Sequence, residues 1–183
     1  MTYRSLQYNV DQSQKILTGF AHGEGADNSQ RARREGDPWS GDMAFPGGRL
    51  QPEDASARAA AERETLEETG MDLRRHGRFL TRLSDLVTRH HSRWRPMVVT
   101  PYVFEWRGPK SVSTNHEVER AVWVPMDYLG ADANQGRLSW RTPLGTLNMP
   151  CCRYQDACIW GLSYSMLQEL LVMSPESRPE FDS

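Results

Sequence analysis

One stretch limits what this chain can be more than any other: residues 47–71, GGRLQPEDASARAAAERETLEETGM. Its Ala-, Glu- and Arg-rich middle favours a helix. Asp54 can cap that helix, which is expected to run to Thr69. Gly70 then suits the left-handed position just past its end, with apolar Met71 beyond. At about 100° per residue, Glu64 and Glu68 fall one turn apart on one face, with Glu67 beside them. Like charges so placed destabilise a helix and raise one another's pKa.

Such a cluster is either a solvated acidic face or an all-oxygen seat for a hard divalent cation, Mg²⁺ or Mn²⁺. The neighbours favour the second reading. Arg63 precedes Glu64 and stands i,i+4 from Glu67, so it can pair with a carboxylate and hold it in place. Gly47 and Gly48 let backbone N–H groups approach an anion, and Arg49 follows them. Asp54 has two readings, helix cap or partner of Arg63, and the cap is the simpler.

The rest of the chain sets the frame. Its 183 residues suit one domain over residues 1–183, with a loose tail at 174–183. A chain this long buries a core without disulfides or structural metal. Acidic residues number 24 and basic residues 22, a balance that argues against nucleic-acid binding through bulk charge. Cys151, Cys152 and Cys158 lack the spacing of a disulfide framework or a zinc site, which suggests thiols in a reducing compartment. The polar N-terminus carries no apolar signal core, and no apolar run nears the ~18 residues of a membrane span. The expectation is a soluble, cytoplasmic protein with no membrane partner.

Strands are expected at residues 15–20, 43–45, 77–88, 97–106 and 118–124. A helical turn is expected at 126–130 and a long amphipathic helix over Tyr154–Met173. An apolar face on that last helix is compatible with a homodimer. Without a regular strand–helix rhythm, these elements favour a mixed sheet flanked by helices. Residues 21–42 form a long polar stretch, of a length that is usually functional or disordered. Arg31, Arg33 and Arg34 within it can grip phosphate or simply face solvent. The run Arg89, His90, His91, Arg93, Arg95 is read as a hairpin tip, and His116 as an ordinary exposed histidine. Trp39 and Trp140, read as lying in polar loops, are the tryptophans to test for stacking on an adenine.

Residues 63–71, RETLEETGM, resemble the core signature of the Nudix hydrolases, Arg-Glu-U-x-Glu-Glu-x-Gly-U with U a bulky apolar residue. Thr65 occupies a U position. Upstream, the family pattern has Gly, five residues, Glu, then seven residues to the Arg. Here Gly48 is followed by five residues and Asp54, then eight residues to Arg63. Further likeness is to the coenzyme A-type pyrophosphatase branch. It lies in Phe45-Pro46-Gly47-Gly48, in Val99 to Val103, in Glu117-Val118 with Val122 to Pro125, and in Trp160-Gly161. The Arg that this branch carries after the Thr18 equivalent is missing.

The resemblance implies an α/β class, a Nudix-type α/β/α sandwich with a mixed β-sheet and a loop–helix–loop motif. It implies hydrolysis of a nucleoside diphosphate linked to a second moiety, with coenzyme A-like compounds the first to try. ADP-ribose, NADH and dinucleoside polyphosphates are the alternatives, and a non-catalytic nucleotide-binding regulator is another. By the same resemblance, Glu64, Glu67 and Glu68 hold Mg²⁺ or Mn²⁺, and Arg63 orients a ligand glutamate. Glu117 is the candidate fourth ligand or general base, or else a surface residue at a strand entry. Gly47, Gly48, Arg49, Arg31, Arg33 and Arg34 are the candidate contacts to a small nucleotide-type substrate.

Overall fold

The computed structural model describes residues 3–10, 13–18, 21–22, 43–89, 96–115, 118–142, 145–155 and 157–173, with backbone alone described for residues 3–22. The first sheet has five strands: β1 (Tyr3–Val10), β2 (Ser13–Thr18), β5 (Gly77–Arg82), β8 (Tyr102–Trp106) and β9 (Val118–Pro125). Their order is β5-β8-β2-β1-β9, antiparallel except for the parallel pair β1 and β9, so the sheet is mixed. A four-stranded sheet runs β4 (Gly48–Arg49), β3 (Ala21–His22), β7 (Pro96–Val99) and β6 (Leu86–Arg89). An antiparallel three-stranded sheet holds β10 (Gln135–Thr142), β11 (Gly145–Tyr154) and β12 (Ala157–Trp160). The helices are α1 (Ala57–Thr69), α2 (Leu73–His76), α3 (Met126–Gly130) and α4 (Gly161–Met173).

The central strands show why this is a sandwich. Side chains alternate across a strand. In β8, Tyr102, Phe104 and Trp106 pack with Ala61 of α1 and with Met71 and Leu73. Val103, on the opposite face, joins Met166, Leu167, Leu170 and Leu171 of α4. In β9, Trp123 leans to the α1 side, while Val122 and Val124 lie with α4. The sheet is therefore covered on both faces, as expected for the α/β/α class.

Several expectations are corrected. The stretches 77–88 and 97–106 are each two strands, because the chain changes sheet partway along. Leu83 turns inward and donates its N–H to the Pro101 carbonyl at 3.0 Å. Ser84 donates from both N–H and Oγ to Glu169, and Thr100 donates to Asp85. Pro101 has no N–H for a ladder, so the second stretch breaks beside it. The expected strand at 43–45 reduces to an isolated bridge at Met43, and the strand proper is β4. The long last helix begins only at Gly161. The apolar run Ala157 to Trp160 is a strand, turned back on β11 at Gln155, which takes a left-handed φ of 55°. A short apolar run does not separate strand from helix by periodicity. Trp140 lies in β10 rather than a loop, its ring centroid 6.0 Å from that of Trp160. Trp39 and residues 23–42 fall outside the described residues, as do residues 90–95 and His116. Among the described residues, no helix is long and apolar enough to cross a membrane.

Candidate active site

Helix α1 supplies the site, and its ends are fixed locally. The Ser56 hydroxyl accepts the Ala59 N–H at 3.1 Å, so Ser56 is the N-cap, not Asp54. At the other end Gly70 has φ 70°, which an L side chain rarely adopts, and its N–H closes on the Leu66 carbonyl. Between these caps the buried face consists of Ala60, Ala61, Thr65, Glu68 and Thr69. Thr65, at a position where an apolar residue was expected, fits because its hydroxyl donates to the Ala61 carbonyl at 2.7 Å.

Relieved of capping, Asp54 meets Arg63 in a two-pronged pair. Arg63 Nε donates to Oδ1 at 3.1 Å and Nη2 to Oδ2 at 3.0 Å. The pair is largely out of water, with the Asp54 side chain 5% exposed and that of Arg63 20%. The Gln51 N–H also donates to Asp54 at 2.9 Å. These bonds, Arg63's first, hold the Asp54 carboxyl below its ordinary pKa against the opposing effect of burial. Arg63 is correspondingly pushed further into its charged form. The extra residue between Asp54 and Arg63 thus does not prevent the pairing.

Arg63 also reaches the glutamates. Its Nη1 donates to Glu64 at 2.9 Å and to Glu67 at 3.3 Å, while Nη2 donates to the Arg49 carbonyl at 3.2 Å. One guanidinium thus joins the loop before the helix, the acid of the turn and two carboxylates of the helix. The glycines lie against the same face. Gly47 N–H points to Glu68 Oε1 at 3.4 Å. A Cβ on Gly48 would stand 2.0 Å from Glu64 Oε1, so only glycine leaves room for that carboxylate.

The three glutamates are not equivalent. Glu68 is buried at 3% exposure, the Glu64 side chain is 15% exposed, and that of Glu67 is 54% exposed. Among the described residues, no three His, Cys, Asp or Glu side chains are gathered closely enough to form a metal cage. Arg63 Nη1 sits between Glu64 and Glu67. The donor set is nonetheless all carboxylate, the chemistry a hard divalent cation takes, and the Gly48 cradle leaves space for Glu64. Arg49 contributes its backbone carbonyl here, on an exposed residue. Glu117, Arg31, Arg33 and Arg34 lie outside the described residues.

A sequence profile described as the NUDIX domain matches residues 29–141, more than half of the chain. The chain belongs to the NUDIX family. Members of this family are pyrophosphohydrolases acting on phosphorus-containing anhydrides, and they generally need divalent metal ions. The matched span of the NUDIX domain takes in α1, its Gly-rich approach and Asp54. The chain is also similar to an uncharacterized protein of Schizosaccharomyces pombe, 37% identical over 100 residues. That match covers 53% of this chain and 30% of the relative, so the chain spans about a third of the curated relative's length.

Sequence reasoning missed one tie of this NUDIX site. The segment before β9 docks on the end of α1: Asn115 N–H donates to the Glu68 carbonyl at 3.2 Å and Ser113 N–H to the Thr69 carbonyl at 3.0 Å. Backbone donors leave no residue-type signal, so nothing in the composition of 111–115 announces it. The Ser56 cap, by contrast, was legible: a serine directly before an Ala-rich run is a standard helix start.

Proposed function

We propose that this chain hydrolyses the pyrophosphate bond of a nucleoside diphosphate linked to a second moiety, with divalent-metal help. The observation that carries the reading is the meeting of α1 with the Gly47–Gly48 loop. Glu64 and Glu68 turn toward that loop and away from bulk water, held there by Arg63, Asp54 and a backbone N–H. A helix surface gains nothing from carboxylates clustered in this way.

Glu64, Glu67 and Glu68 would hold Mg²⁺ or Mn²⁺, which when bound would supply charge neutralisation of the diphosphate and a water of lowered pKa. The chain's own residues do the positioning. Asp54 fixes the plane of Arg63, and Arg63 fixes the carboxylate of Glu64. Gly47, Gly48 and Arg49 border the place for phosphate oxygens, with Arg31, Arg33 and Arg34 as further candidate contacts. Glu117, just ahead of Val118, is the candidate base or fourth ligand. Most of the rate enhancement in such chemistry is positioning and electrostatic stabilisation.

Coenzyme A-like compounds are the first substrate class to try, on the residues 43–171 that resemble the coenzyme A-type branch. The missing Arg after Thr18 keeps ADP-ribose, NADH and dinucleoside polyphosphates in the panel. The test is turnover of that panel with products identified by mass, with and without Mg²⁺ or Mn²⁺. Metal-dependent release of two phosphate-bearing fragments is expected, reversibly stopped by a chelator. Nucleotide binding with no release across the panel overturns the hydrolase reading in favour of a regulator.

A further inference from the structure

Away from the candidate active site, five arginines gather about β5, one edge of the five-stranded sheet. Arg58 of α1 and Arg74 of α2 share Glu62, at 3.3 and 3.2 Å. Glu62 lies about 200° around α1 from Glu64, so this group looks away from the clustered carboxylates. Arg78 of β5 and Arg107, just past β8, share Glu105, at 2.6 and 2.7 Å. Arg82, at the end of β5, pairs with Asp85. Three carboxylates thus serve five cations. Among the described residues, Arg58, Arg74 and Arg78 meet their glutamate through Nε alone. Their Nη1 and Nη2 therefore keep open the fork that takes a carboxylate in two parallel bonds. The five side chains are between 49% and 66% exposed.

The strand between these arginines is open. β8 pairs one side of β5, and no strand pairs the other among the described residues. The Arg107 N–H donates to the His76 carbonyl at 2.9 Å, so by alternation Arg78 bonds inward and the N–H and C=O of Phe79 face the outer edge. Arg78 stands opposite Glu105, on one face of the sheet. A register shift past Phe79 sets Phe79 opposite Phe104 and Arg82 opposite Tyr102, both on the face covered by α1. The exposed Phe79 ring meets Phe104 edge-on, 5.5 Å between centroids, and the Arg58 guanidinium lies 5.1 Å from its centre. The edge thus offers backbone hydrogen bonds, an aromatic foothold and arginines on both faces.

We propose that the open edge of β5 binds an acidic, extended stretch of another polypeptide, added as a further strand, with carboxylates on Arg58, Arg78 and Arg82 and an apolar side chain on Phe79. Charge complementarity selects this occupant. Two copies of this chain pairing edge to edge would set Arg78 and Arg82 against the same residues of the other copy, and like charges across strands destabilise. Charged side chains also turn away uncharged strands from an exposed edge. A nucleic acid matches the charge but has no backbone amides for the edge. The proposal is independent of the hydrolase reading, because none of these residues belongs to that site.

The test is fluorescence anisotropy with a labelled oligoglutamate peptide carrying one central phenylalanine, titrated with the full chain. Binding is expected. Arg58→Glu and Arg78→Glu, one on each face of the edge, are each expected to weaken it at least about tenfold, the loss that a charge-assisted bond implies. Should either variant fail to fold, Arg58→Gln and Arg78→Gln remove the charge without reversing it. The same peptide N-methylated at alternate residues is expected to bind more weakly, since it cannot pair along the strand. An oligodeoxythymidylate of equal charge is expected to bind more weakly too. No binding of the peptide, or wild-type affinity in both arginine variants, overturns the proposal. Equal affinity for the N-methylated peptide or the oligodeoxythymidylate shows a surface for polyanions in general and overturns it as well.

Discussion

Gly48→Ala is the sharpest perturbation of the site, because it adds one methyl and removes nothing. The new Cβ would lie 2.0 Å from Glu64 Oε1, 2.3 Å from its Cδ and 2.7 Å from Oε2, against the 3.4 Å at which ordinary contact begins. The backbone at Gly48 is not in the left-handed region, so alanine meets no strain there beyond the carboxylate. The yielding part is the far end of a flexible side chain. Glu64 therefore retreats by about 1.4 Å, and its 2.9 Å bond to Arg63 is lost or rebuilt. Misplacing a reacting group by about 1 Å costs roughly 100-fold in rate. That corresponds to about 2.7 kcal/mol of transition-state stabilisation. Stability should move little, since replacing glycine by alanine stiffens the unfolded chain and offsets roughly 0.4–1 kcal/mol of what the disturbed ion pair loses. The assay is metal-dependent kcat/KM on the best substrate of the panel, with a thermal melt on the same sample. A variant that melts like wild type and keeps kcat/KM within about threefold refutes the reasoning, because the position of the Glu64 carboxylate would then not matter to the chemistry.

The remaining predictions concern the other groups that shape the site. Glu68→Gln is expected to lower turnover by more than ~100-fold while the far-ultraviolet spectrum stays native, since ligand loss exceeds the cost of disturbing a supporting residue; full activity removes Glu68 from the metal set. Asp54→Asn is expected to cost roughly 2–3 kcal/mol at neutral pH, as charge-assisted bonds to Arg63 are lost. The pH dependence follows from the lowered folded pKa of Asp54. The stability its charge adds is complete above the ordinary carboxylate value of about 3.9 and disappears as pH falls through the lower folded value. Denaturant melts of wild type and Asp54→Asn should therefore converge in acid, and parallel curves there contradict the pairing. Ser56→Ala is expected to cost about 1 kcal/mol through the lost cap while kcat is unchanged. A large loss of kcat in that variant returns Asp54 and Ser56 to a shared role.

What the chain alone revealed is what short-range chemistry dictates. The order of Glu64, Glu67 and Glu68 on one turn follows from helical pitch. The stop at Gly70 follows from the single residue type that tolerates a positive φ. The strand at 118–125 and the turn at 126–130 announced themselves through alternation and local composition. The hairpin of β10 and β11 carries a readable signal in Arg137 to Thr142, where Leu138 and Trp140 alternate with polar residues. Other facts depend on atoms distant in sequence. Asp54 was free to be a cap or an ion-pair partner until Ser56 took the cap and Arg63 came within 3.0 Å. Only packing decided that Glu68 is buried while Glu67, one residue away, stays in water, because exposure depends on what the fold lays over each face. The breaks at residues 83–85 and 100–101 likewise belong to the tertiary level. A strand's sheet is chosen by its partners, and those partners lie elsewhere in the chain.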